Sequence, residues 1–424
     1  MTPIIGGLQK TTNYRVVLPF YIYASLGLLL GTTLLLFSTR DLFVHYFNPH
    51  ILAITHSMAL AWGTMLIFGA SHQLLPVLVE GKLNSDRLAY LTFVFMAIGI
   101  PFLIYGFYVF NVGAPLKIGA TMINLGVLCY LFNVISTAFK NNKKNIHAWF
   151  AITATLWLLT TTLFGLLLVF NFQSPILTNN SVYYLAVHAH LGIIGWFLLM
   201  VIGLGSRLIP MFLISKYTNN KILWLIFILL NIALISFLTL YLLNSATYLY
   251  YIPIVMGVAA ILLFARHCYK AYKIRIRKNV DQQVTTSLIS VMFMLLPFVI
   301  LFVTISSIPQ AYINRMAMLY GFTIFFGWIT AIILGMTFKT MPFIIWNKVY
   351  HNKAHKGRTP APKEIFNDKI YKIMQYCYLG GFTIFIIGII LLNQIILKTG
   401  AIFLFVSAIL YVYNMMITTN HKSK

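Results

Sequence analysis

The chain has 424 residues, 60% of them hydrophobic and only 8% charged. That composition excludes a soluble globular domain. The net charge of +24 invites a nucleic-acid partner, but the basic residues are scattered over the short loops of an apolar chain, which excludes that partner and leaves membrane lipid as the surroundings.

Runs of about 20 apolar residues or more, enough to cross a bilayer, fall near 17–38, 51–79, 88–110, 115–139, 149–171, 181–214, 222–243, 247–266, 285–307, 312–346, 370–392 and 395–418. The expected fold is all-α, a polytopic membrane protein of twelve transmembrane helices. The first run is too long for a signal-peptide core and precedes no convincing cleavage site, so it reads as a retained helix.

The second run carries Ala61-Trp62, Gly69 and Pro76. The sixth repeats it as Gly195-Trp196, Gly203 and Pro210, and the tenth as Gly327-Trp328, Gly335 and Pro342. The copies lie 134 and 132 residues apart. A spacing of seven turns a helix by about 700°, so Trp, Gly and Pro form one stripe. The twelve helices therefore divide into three pseudo-equivalent groups of four within one membrane domain, 1–424, with repeats near 17–140, 148–271 and 285–418.

Basic residues mark alternate loops. Lys10 and Arg15 precede the first helix; Lys82 and Arg87 follow the second; Lys140, Lys143 and Lys144 follow the fourth; Lys216 and Lys221 follow the sixth. The basic runs 270–278 and 348–369 follow the eighth and tenth, while the other loops hold Arg40, Lys117, Arg315 and Lys398. By the positive-inside rule both termini are cytoplasmic, in a bacterial inner membrane. The six acidic residues, Asp41, Glu80, Asp86, Asp281, Glu364 and Asp368, all fall in loops or at helix ends. No carboxylate is left in the apolar spans for a proton relay. Cys129, Cys268 and Cys377 are isolated and form no CxxC motif.

Histidine supplies the chemistry. His56 stands six residues before Trp62, and His190 stands six before Trp196, with His188 beside it. The third copy has Phe322 and Tyr320 there. In this topology those histidines share the outer third of the membrane with His45 and His50, whereas His147, His267, His351, His355 and His421 lie at cytoplasmic ends and read as solvated. Imidazole is a common metal ligand and an axial ligand of b-type haem. Equivalent positions and similar depth make His56 and His190 the expected ligands of one haem, with His188 and His50 as expected metal ligands. Packing through hydrogen bonds to a neighbouring helix is the alternative for any one of them. His188 and His190 lie about 200° apart around their helix and do not readily share one ligand. Gln73, Arg207 and Lys339 occupy one equivalent position near the cytoplasmic boundary, where the cations read as snorkelling to headgroups.

The stretches 55–76 (THSMALAWGTMLIFGASHQLLP) and 187–210 (VHAHLGIIGWFLLMVIGLGSRLIP), set in twelve helices, resemble subunit I of the heme-copper oxidase superfamily, in its divergent bacterial members. They also resemble the NnrS haem- and copper-containing membrane proteins, in which a His-Ala-His opens a Gly-rich helix. The resemblance places His56 at the low-spin haem ligand of the second helix and His188 or His190 at the copper ligand of the sixth. The family's His pair on the seventh helix and its two on the tenth have no counterpart in 221–243 or 312–346. The resemblance thus implies a haem protein, with copper as a second cofactor, lacking the usual haem–copper centre. The expected function is respiratory electron transfer or nitric oxide and oxygen handling, with an electron donor or respiratory-complex subunits as partners. An NnrS-like nitric oxide response protein, a copper or haem transporter or assembly factor, and a structural subunit are the alternatives.

Overall fold

A computed structural model describes residues 12–43, 45–140, 145–306, 308–351 and 359–423; the expectations on Lys10, Lys143, Lys144 and His355 lie outside them. Twelve helices are long and apolar enough to cross a membrane, and no strand occurs among the described residues. They are α1 (Tyr14–Phe37), α2 (Pro49–Leu78), α3 (Asp86–Tyr108), α4 (Ala114–Phe139), α5 (Ile146–Asn171), α6 (Leu185–Phe212), α7 (Asn220–Leu242), α8 (Thr247–Lys273), α9 (Gln282–Ile305), α10 (Ile313–Tyr350), α11 (Asp368–Leu391) and α12 (Gln394–Thr419).

Local sequence explains their ends. The side chains of Asn13, Asn48, Ser85, Asn145, Asn219, Asn367 and Asn393 each accept a hydrogen bond from a first-turn N–H, satisfying donors that a helix start leaves unpaired. Past the C-terminal ends of α2, α3, α6, α7 and α11, Glu80, Phe110, Ile214, Asn244 and Leu392 take positive φ near 50°. The residue after each donates its N–H five residues back, as Gly81 does to Pro76 and Ser215 to Pro210. These are left-handed helix caps built without glycine.

The three repeated helices form the centre. Most of the apolar window of α2, α6 and α10 is buried (83, 67 and 78%), against 56% or less in the other nine. Within each group the third and fourth helices pair, and the fourth packs on the first of the next group: α4 on α5, α8 on α9, α12 on α1. The last contact closes the ring.

The buried tryptophans record the same cyclic order. Trp196 Nε1 donates to Thr64 Oγ1 at 3.0 Å, and Trp62 Nε1 donates to Thr330 Oγ1 at 3.0 Å. Thr64, Leu198 and Thr330 are equivalent in the repeat, so the second group bonds to the first and the first to the third. Where the third would bond to the second, Leu198 offers no hydroxyl. A second ring of contacts varies in concert. Ser71 meets Tyr130 at 2.6 Å and Thr337 meets Tyr411 at 3.1 Å, while the middle group has Gly205 facing Phe264. Losing the phenol and the hydroxyl together leaves no orphaned polar group.

Candidate functional site

Each central helix widens into a π-helical stretch directly after the position of the key side chain. The stretches are Ser57–Thr64 after His56, Leu191–Leu198 after His190 and Thr323–Ile329 after Phe322. Met65 N–H reaches back five residues to Leu60 O, and Leu199 N–H to Ile194 O. Wide turns of this kind recur at functional sites because they break the uniform ladder and re-aim the preceding side chains.

His56 and His190 are held alike. His56 Nδ1 lies 2.8 Å from Leu52 O, and His190 Nδ1 lies 2.8 Å from Ala186 O. Each N–H donates to the carbonyl one turn back, which fixes the tautomer and leaves a lone pair on Nε2. What faces that lone pair differs. The ring of His188 stands opposite His56, with centres 6.4 Å apart and planes inclined by 24°. Opposite His190 stands Tyr320, whose Oη is 3.1 Å from His190 Nε2, so the phenol donates and both nitrogens of His190 are engaged.

The repeat accounts for this arrangement. His188 and Tyr320 are equivalent, and the corresponding residue of the first group is the buried Ile54. At the junction of the first and second groups the pair is His56 with His188, and at the next it is His190 with Tyr320. In the third group the histidine position holds Phe322, stacked with Phe326, Phe382 and Phe385 at 5.2, 5.5 and 4.3 Å. Aromatic rings stand there in place of imidazole.

One cavity of about 560 Å³ takes in His56, His188, His190 and Tyr320, bounded by Leu103, Phe107, Thr161, Tyr241 and Phe325 among other, mostly apolar, residues. Trp196 and Thr64 also border it. His188 gains its place because residue 165 is glycine: a Cβ there would lie 2.8 Å from His188 Cε1. Its Nδ1 is buried and has no hydrogen-bond partner.

His56 and His190 thus share a cavity, but the imidazole set against His56 is that of His188. The opposite helix faces of His188 and His190 serve different neighbours. His50 does not border the cavity; its Nδ1 pairs with Asp41 Oδ2 at 2.7 Å and its ring leans on Tyr108. His45 caps the Phe47 N–H through Nδ1. No three His, Cys, Asp or Glu side chains converge as a metal-binding group among the described residues, so the copper expectation finds no ready ligand set. Lys339 does not snorkel: it pairs with Asp281 at the start of α9. His267 is buried, not solvated. The repeat spacing placed Tyr320 at the position of His188 but gave no sign that its hydroxyl meets His190, and Gly165 carried no sequence signal as a site residue.

The residues present fit a haem. His56 and His188, whose ring centres stand 6.4 Å apart, are the residues that would hold it. Each retains a nitrogen without a protein partner among the described residues, and the surrounding cavity is apolar. No family model matches this chain, and no curated protein matches it.

Proposed function

We propose that this chain is a haem-binding membrane protein of the electron-transfer class, in which His56 and His188 would hold the haem. The observation that carries the reading is the facing pair of imidazoles in a mostly apolar cavity, one of them with a buried nitrogen that has no hydrogen-bond partner among the described residues. When bound there, a haem would supply one-electron chemistry. The protein's part is to hold the rings: Leu52 O orients His56, Gly165 admits His188, and the Trp196–Thr64 bond borders the pocket. The Tyr320 hydroxyl engages His190 Nε2, so with Nδ1 on Ala186 O this imidazole keeps no free nitrogen. The resemblance of 55–76 and 187–210 to the heme-copper oxidase superfamily supports the same reading. The missing histidines of the seventh and tenth helices argue against oxygen or nitric oxide reduction at the usual centre. The basic loops support an inner-membrane protein with both termini cytoplasmic.

The test is the absorbance spectrum of the purified protein. A reduced b-type low-spin spectrum is expected, lost in His56→Ala and in His188→Ala and retained in His190→Ala and His50→Ala. Loss in His190→Ala with retention in His188→Ala would restore the pairing expected from sequence. A haem-free protein would favour metal handling or a structural role.

A further inference from the structure

The end of the bundle remote from the cavity carries the basic loops, and the middle group differs there from the other two. Gln73, Arg207 and Lys339 are equivalent on the central helices. Gln73 is neutral, Lys339 pairs with Asp281, and Arg207 is exposed. The chain holds no carboxylate between Asp86 and Asp281, and Asp281 is also engaged by Arg277 at 2.8 Å. Arg207, Lys216, Lys270 and Lys273 form no ion pair with a described carboxylate. The loops of the other groups carry Glu80 and Asp86, or Glu364 and Asp368, among their cations. The positive-inside rule counts lysine and arginine, with little weight for acidic residues. It accounts for the cations of all three groups but not for the lack of acidic partners in one.

Three contacts gather these charges at one corner. His267 Nε2 donates to Ser206 O at 3.2 Å, joining α8 to α6 directly before Arg207. One turn past His267, Lys270 Nζ stands 5.9 Å from the centre of the Tyr217 ring, and Tyr217 follows Lys216. Ile276 N–H donates to Ile214 O at 3.2 Å, so the segment after α8 is tied to the loop after α6. Cations and isoleucines alternate in that segment, Lys273-Ile274-Arg275-Ile276-Arg277. Ile214, Ile274 and Ile276 are each at least half exposed.

We propose that this corner of the middle group binds the headgroup of an anionic phospholipid. Neighbouring cations without carboxylates repel one another, and an anion set among them removes that cost. The cations stand at the ends of membrane-spanning helices, the level at which long basic side chains reach lipid phosphates. The isoleucines decide between a lipid and a soluble anion. A free phosphate would satisfy the cations and leave the apolar side chains in water, whereas a lipid also covers them with the upper part of its chains.

The full-length protein in mild detergent is titrated with phosphatidylglycerol and with phosphatidylcholine, and bound lipids are counted by native mass spectrometry. Wild type is expected to hold one phosphatidylglycerol about tenfold more tightly than phosphatidylcholine. Arg207→Gln and Lys270→Ser install the residues of the first group, Gln73 and Ser136. Each should weaken phosphatidylglycerol binding about fivefold, the share of one cation near a lipid surface. Lys369→Gln combined with Lys372→Gln, beside Asp368 in the third group, should leave it unchanged. Equal affinity of wild type for the two lipids would overturn the proposal, as would an equal loss in the Lys369 and Lys372 double variant. Full displacement of the lipid by millimolar inorganic phosphate at constant ionic strength would also overturn it, assigning the cations to a soluble anion. The substituted side chains lie at the surface, so thermal melts should match wild type. The haem residues lie at the other end of the bundle, so this reading stands or falls apart from that one.

Discussion

Replacing Gly165 by Ala separates the two possible histidine pairings without touching a histidine. The new Cβ would stand 2.8 Å from His188 Cε1, 3.5 Å from Nδ1 and 3.7 Å from Nε2. Comfortable carbon–carbon contact begins at ~3.5 Å, so the ring must retreat by roughly 0.7 Å or α5 must move. Metal–ligand distances tolerate only about ±0.2 Å. The displacement is more than three times that tolerance, enough to break or lengthen the bond that the proposed haem would form with His188. The fold should survive: overpacking costs about 1–3 kcal/mol, and replacing a mid-helix glycine returns about 1 kcal/mol in helix propensity. The assay is the reduced and oxidised absorbance spectrum with a thermal melt of the same sample. The expected result is a shift from low-spin towards high-spin haem with a melting point within a few degrees of wild type. An unaltered low-spin spectrum in a folded, haem-loaded Gly165→Ala protein would refute the assignment of His188 as a ligand.

Other consequences follow from particular contacts. Thr64→Val strands the buried Trp196 indole N–H and should lower stability by about 1–3 kcal/mol, read from the thermal melt; adding Trp196→Phe should cost less than the sum, and simple additivity would show that the bond does not couple the groups. Ile214 is β-branched, half exposed, and held at φ 51°, so Ile214→Gly should raise stability by about 1 kcal/mol; a lower melting point would mean the cap is not strained. The described carboxylates all lie in loops or at helix ends, so reconstituted vesicles supplied with a reductant should eject no protons; uncoupler-sensitive ejection would contradict this.

The twelve helices and their grouping were legible from the residues alone, because a bilayer demands about 20 apolar residues per span whatever the neighbours are. The Trp–Gly–Pro stripe of α2, α6 and α10 marked the central helices for a related reason: packing helices around a common centre calls for the same small and large residues in each copy. The six asparagines and one serine that cap seven helices act within one turn and can be read locally as well.

Which side chains meet was a different matter. His56 and His190 occupy equivalent places, and equivalence suggested a pair. In a cyclic arrangement, however, a residue meets the unlike position of the next group, so His56 faces His188 and His190 faces Tyr320. The order of that ring is set by how α4, α8 and α12 pack on the following group, a long-range choice that no local spacing encodes. The same holds for Lys339, whose partner Asp281 is 58 residues away, and for His267, whose burial depends on α6 lying across it. Hydrophobic length and repeat spacing are properties of a segment. Facing partners are properties of the assembled bundle, and only the tertiary structure decides them.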